Sequence, residues 1–128
     1  MIIPRTYCCT ALLSTVLLLA ACQQVVTPQG DFVQTNQQVE QKPLSLQFNQ
    51  GRISGFTGCN RAMGSFTVDK GDLVVSQLAS TMMACSEPAM AREQAFHSFL
   101  QSKPKLSYDN KQLVLRKDDI SYQFSSQP

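Results

Sequence analysis

The chain has no tryptophan, a single histidine, and only 9 acidic side chains against 11 basic ones in 128 residues. One His and no acidic cluster leave no donor set for a dedicated metal site. The charge is nearly balanced and no run of basic residues occurs, which argues against a surface built to grip nucleic acid. Gly-x-Ser-x-Gly, His-Glu-x-x-His and a phosphate-binding loop are all missing. The only adjacent carboxylates, Asp118 and Asp119, fall in an expected turn. These absences predict a protein that is not an enzyme and needs no cofactor. The length allows one domain with one modest core.

Apolar residues concentrate at the start. Residues 1–22 read MIIPRTYCCTALLSTVLLLAAC: Arg5 leads, and an apolar stretch follows, densest from Ala11 to Leu19. It is too short to span a bilayer comfortably, so it reads as a secretory signal. Its end, Leu19-Ala20-Ala21-Cys22, resembles the lipobox of bacterial lipoproteins. That resemblance implies a signal peptide over residues 1–21, cleavage before Cys22, and acylation of the Cys22 thiol and its new amine. Three acyl chains would anchor the protein permanently, at about 0.8 kcal/mol per buried CH₂. Gln23 rather than Asp after the cysteine implies delivery to the bacterial outer membrane, with the domain in the periplasm. Cys8 and Cys9 would leave with the signal. Residues 22–30 are polar, with a Pro and a Gly, and read as a lipidated tether.

Beyond the tether the strand signals are clear. Phe32, Val33 and Val39 suggest one early strand. Leu44, Leu46 and Phe48 alternate with polar residues, and Asn49-Gln50-Gly51 turns toward a partner at 52–57, with Gly55 available for a bend or bulge. Residues 65–68 and 73–76 flank Asp69-Lys70-Gly71-Asp72, the pattern of a hairpin with a four-residue loop. Period then changes. Pro88 fits a first helical turn capped by Ser86 or Glu87. Ala89, Arg92, Ala95/Phe96 and Phe99/Leu100 follow helical spacing over 87–102. Leu106/Tyr108, Leu113/Leu115 and Ile120/Tyr122/Phe124 then form a three-stranded meander. The expected fold is α+β: roughly seven strands in a mainly antiparallel curled sheet, open and barrel-like, around one amphipathic helix.

Two cysteines remain after Cys22. In an exported protein Cys59 and Cys85 read most simply as a disulfide; free thiols, a redox couple or part of a metal site are the alternatives. Around them the sequence resembles the META domain family. The resemblance rests on Gly58-Cys59-Asn60-Arg61, then Gly64-Ser65-Phe66, then the Leu78–Cys85 segment with Thr81, Met83 and Cys85, followed by the helix and strands. It covers about residues 31–125. Phe32 stands where relatives often have Trp, and Met82 where they commonly have a basic residue.

The motif residues also have readings of their own. Gly58 and Gly64 serve the backbone through positive φ or close approach. Asn60 adopts a left-handed conformation or closes a turn through its amide, or else contacts a ligand. Arg61 is the best candidate to clamp a carboxylate, with an ion pair at the surface or core rim as the plainer role. Met82 and Met83 divide between core and core edge, or else form an adaptable contact surface. His97 is a partly covered surface residue, and Thr81 has no base in reach. The resemblance implies a monomeric envelope lipoprotein in heat shock, envelope stress and novobiocin resistance. Its expected partners are the membrane through Cys22 and an unidentified envelope protein or hydrophobic ligand. A pilotin-like carrier of an acyl chain is the alternative.

Overall fold

The computed structural model describes residues 26–38 and 40–128. The expectations for the signal, Cys8, Cys9, Cys22 and Val39 lie outside the described residues. Strands β1 (Gly30–Gln34), β2 (Ser45–Asn49), β3 (Arg52–Phe56), β4 (Arg61–Asp69) and β5 (Asp72–Ser80) precede helix α1 (Glu87–Gln101). Strands β6 (Lys105–Asp109), β7 (Gln112–Lys117) and β8 (Ile120–Ser126) follow it. The sheet is antiparallel and closes: β1 pairs with β8, Phe32 lying opposite Ser126 and Gln34 opposite Phe124. The curled sheet expected from sequence is therefore a closed barrel of eight strands rather than an open one of seven.

Closure follows from short connections and alternation. Gln50-Gly51, Lys70-Gly71 and Asn110-Lys111 all have positive φ, the mark of two-residue turns whose twist matches that of the strands they join. The loop at 69–72 is thus two residues shorter than the sequence pattern suggests, because Asp69 and Asp72 pair as the last rung of the ladder. Gly55 permits close approach rather than a bulge: an added Cβ would meet the Ser45 carbonyl oxygen at 1.9 Å. The bulge lies in β5, where Gln77 (φ +55°) and Leu78 together face the single residue Gly64 between Met63 and Ser65 of β4.

Inward residues meet in one aromatic core. Phe32, Phe48, Phe96 and Phe124 are fully buried together with Leu44, Leu46, Ile53, Leu73, Leu100, Leu113 and Leu115. Phe48 packs edge-on against Phe32 and Phe66. Each such side chain contributes about 1.5–3 kcal/mol through its removal from water. The helix joins this core through Phe96, Phe99 and Leu100, with Phe96 and Phe99 both against Tyr122. Its buried face is centred on Glu93, Phe96 and Leu100, and the expected Ala95 is exposed. Ser86 occupies the N-cap position, but its hydroxyl makes no capping hydrogen bond.

The helix interrupts the sheet. Because residues 81–104 leave the barrel between β5 and β6, those strands share one paired position, Asp72 opposite Lys105. Backbone hydrogen bonds from Leu73 N–H to the Pro104 carbonyl and from Leu106 N–H to the Gly71 carbonyl complete this seam.

Candidate functional site

At one rim of the barrel, three separate segments meet at a buried carboxylate. The first is the turn between β3 and β4, where Thr57 N–H donates to the Asn60 carbonyl at 3.0 Å. Gly58 takes φ +131° in this turn, and a Cβ there would approach the Glu93 backbone nitrogen to 2.9 Å. Only glycine meets both demands. The second segment is Thr81–Ser86, which runs from β5 to the helix without regular structure. The third is the first half of α1.

Glu93 points from the helix into that turn and is 6% exposed. Its Oε1 accepts from Asn60 N–H at 2.7 Å, from the Thr57 hydroxyl at 2.8 Å and from Cys59 N–H at 3.4 Å. Its Oε2 accepts from the Asn60 side-chain amide at 2.8 Å. No cation pairs with it among the described residues. Burial pushes the Glu93 pKa up, but the hydrogen bonds from Asn60, Thr57 and Cys59 outweigh it and hold the carboxyl below its ordinary 4.5. Since the Thr57 proton goes to Glu93, the His97 Nε2 at 2.9 Å from the Thr57 oxygen must donate. His97 is half-buried, as its place beside Phe96 suggested.

Asn60 holds the second segment with the rest of its amide. Its Oδ1 accepts from Met83 N–H at 2.6 Å and from the Thr81 hydroxyl at 3.0 Å, while its Nδ2 also reaches the Met83 carbonyl at 3.3 Å. Thr81 further accepts from Arg61 N–H at 3.2 Å. Beside these bonds, Cys59 and Cys85 form a disulfide with Cα atoms 6.0 Å apart. The segment is thus a strap fastened at both ends. Asn60 is 3% exposed and its backbone, contrary to expectation, is not left-handed; its amide instead joins turn, strap and helix.

Two motif residues behave differently from expectation. Met82 is 95% and Met83 58% exposed, so neither enters the core. The strap's backbone bonds to Asn60 fix it on the rim and leave both side chains in solvent. Arg61 clamps no carboxylate and has no ion pair among the described residues; its guanidinium reaches Gln47 Oε1 at 3.4 Å on the barrel surface. Gly64 lies opposite the β5 bulge, where a Cβ would come within 2.8 Å of the Ser76 carbonyl oxygen.

Sequence reasoning passed over Glu93, which carries the network. Its signal was positional: it lies three and seven residues before Phe96 and Leu100, on the same helical face. Arg92 was counted on the apolar face, but its guanidinium donates to the Lys42 carbonyl at 2.6 Å and to Gln34 Oε1 at 2.9 Å. It ties the helix to the end of β1 and to the segment that leads into β2.

The site therefore defines a small disulfide-stapled barrel in which a buried Glu–Asn bridge fastens a helix and a strap to one rim. The META domain model matches residues 23–128, and the chain belongs to that family, which is not known as a family of enzymes. Two solved structures are similar. One, known from an NMR structure, is 24% identical with a TM-score of 0.64, covering 78% of this chain and 94% of its own. The other, an NMR structure of a protein from Burkholderia xenovorans, is 25% identical with a TM-score of 0.61, covering 80% of this chain and 92% of its own. No curated protein matches the chain.

The tight turn gives a direct test. Gly58→Ala is expected to destabilise the fold by about 1–3 kcal/mol, through positive φ and collision with the Glu93 backbone. Urea unfolding measures it, and a loss below about 0.5 kcal/mol would mean that the turn relaxes freely.

Proposed function

We infer that this protein is a non-enzymatic lipoprotein of the bacterial outer membrane, with its META domain in the periplasm serving as a binding or scaffolding module in envelope stress. The lipobox-like Leu19-Ala20-Ala21-Cys22 and the polar tether support the anchor. The observation that carries the binding role is the strap. Met82 and Met83 are large, apolar and solvent-exposed, yet their backbone is fixed by Asn60 and the Cys59–Cys85 bond. Unbranched thioether side chains adapt to varied partner surfaces, and a fixed backbone lowers the cost of ordering them on binding. The alternative, a carrier of an acyl chain, needs an interior volume that four phenylalanines and their aliphatic neighbours occupy here.

The experiment compares a deletion strain complemented by wild type or by Met82→Glu/Met83→Glu, challenged with heat and novobiocin. Wild type is expected to restore survival and the double variant to fail. The variant's unfolding free energy should stay within about 0.5 kcal/mol of wild type, as for exposed substitutions generally. A deletion strain matching its parent under both stresses would overturn the envelope role, and full complementation by the variant would overturn the role of the strap.

A further inference from the structure

The sequence contains no basic run, but the fold assembles one. An open groove of about 370 Å³ beside the β5–β6 seam is lined by Asp72, Lys103, Lys105, Arg116, Lys117 and Asp118. Four cations thus face two carboxylates, although only 10 basic residues (11 less Arg5) follow the leader. One carboxylate is committed: Lys105 Nζ lies 3.1 Å from Asp72 Oδ1. Lys103, Arg116 and Lys117 have no ion pair among the described residues.

The register sharpens the point. Lys105 lies directly opposite Arg116 across β6 and β7. Like charges in that position destabilise a sheet, and an anion seated between them would offset the repulsion. Lys103 enters β6 with φ +58°, a conformation uncommon for residues other than glycine.

We propose that this groove binds a phosphate-bearing solute, its phosphoryl group held by Lys103, Lys105 and Arg116 with Lys117 at the margin. A phosphate monoester carries about −1.5 to −2 charge at neutral pH, which matches the groove's excess of two cations (four less two). The arginine supplies a planar fork for two phosphoryl oxygens, and the lysines supply point charges. The volume lies in the range of small-molecule sites, about 300–1,000 Å³.

The strand ends indicate the source. Lys117 pairs with Ile120 at the start of β8, whereas Ser126 at its end lies opposite Phe32, beside the start of β1. The groove is therefore about 20 Å along β8 from the rim where the tether leaves, at roughly 3.3 Å per residue. A free phosphate-bearing molecule is thus favoured over headgroups of the anchoring bilayer. That preference rests on the tether reading; the groove itself does not.

The test titrates inorganic pyrophosphate into the ¹⁵N-labelled full chain in uncharged detergent micelles at low salt. Saturable amide shifts are expected at Lys103, Lys105, Arg116 and Lys117. Lys103→Gln/Arg116→Gln, both exposed positions, should weaken binding at least tenfold. Asp118→Asn, which removes a competing carboxylate in a turn that suits Asn, should tighten it severalfold. Shifts that fail to saturate, or that spread equally over Lys42, Arg52 and Lys70, would overturn the site, as would unchanged binding in both variants. Anionic phospholipid doped into the micelles is expected to leave these amides in place. Movement of the same amides at lower phosphate concentration than with pyrophosphate would overturn the assignment to a free solute.

Discussion

Replacing Glu93 by alanine is expected to cost about 3–5 kcal/mol of stability, the largest effect of any single polar substitution in this chain. The carboxylate accepts from Asn60 N–H, Cys59 N–H, the Thr57 hydroxyl and the Asn60 amide. Removing it leaves several buried donors unpartnered, at about 1–3 kcal/mol each before water relieves some of them. Glu93→Gln should lose less, since one oxygen remains, but its new N–H₂ must face donors. Urea denaturation at neutral pH measures both; a cost below 1 kcal/mol for the alanine variant would mean that turn, strap and helix are held by packing alone. The pH dependence has a definite sign. The folded-state pKa of Glu93 is lowered, against the opposing effect of burial, by bonds from Asn60, Thr57 and Cys59. Its contribution is therefore complete above the ordinary value of 4.5 and is lost as pH falls through the lowered one. Wild-type stability should decline below pH 4.5, and Glu93→Gln should flatten that decline.

Cys59→Ser/Cys85→Ser is expected to cost about 3–4 kcal/mol, the chain-entropy value for a bond whose cysteines are 26 residues apart. The loss has a spatial signature. Asn60 still holds Met83 N–H and Thr81 in the variant, but the strap's far end is released. Amide exchange should accelerate from Ala84 to Ser86 while the Thr57–Asn60 turn stays protected. Equal acceleration across both would show that the bond supports the entire rim rather than the strap. A variant as stable as wild type would show that the unfolded chain gains nothing from losing the link.

Sequence made the meander and the helix legible because each repeats a period: alternation at Leu113/Leu115 and Ile120/Tyr122/Phe124, helical spacing at Phe96/Phe99/Leu100. Closure of the barrel was hidden, because the pairing of β1 with β8 joins residues about ninety positions apart, and no local pattern encodes it. The loop at 69–72 was overcounted because Lys70 adopts φ +51°, a conformation usually reserved for Gly or Asn. Glu93 was missed because a carboxylate on a buried face looks like a break in the stripe; only its four donors, brought by another segment, make it tolerable there. Met82 and Met83 were expected to divide between core and edge on hydropathy alone. The strap's bonds to Asn60 keep both outside. The cysteine pair was legible from their count together with the expected export signal, and the basic groove was not, since Lys105 and Arg116 meet only through strand register.

The order of pairing has a kinetic consequence. Every neighbouring pair of strands in the barrel is consecutive along the chain except β1 and β8. Hairpins form in microseconds once their two arms exist, so β2–β3–β4–β5 and β6–β7–β8 can assemble as local units. The closing pair carries the loop entropy of nearly the whole domain. During synthesis from the N-terminus, β1 is made first and its last partner is made last. Throughout that interval one edge of β1 stays unpaired and Phe32 lacks part of its shelter, the condition under which a strand recruits the wrong neighbour.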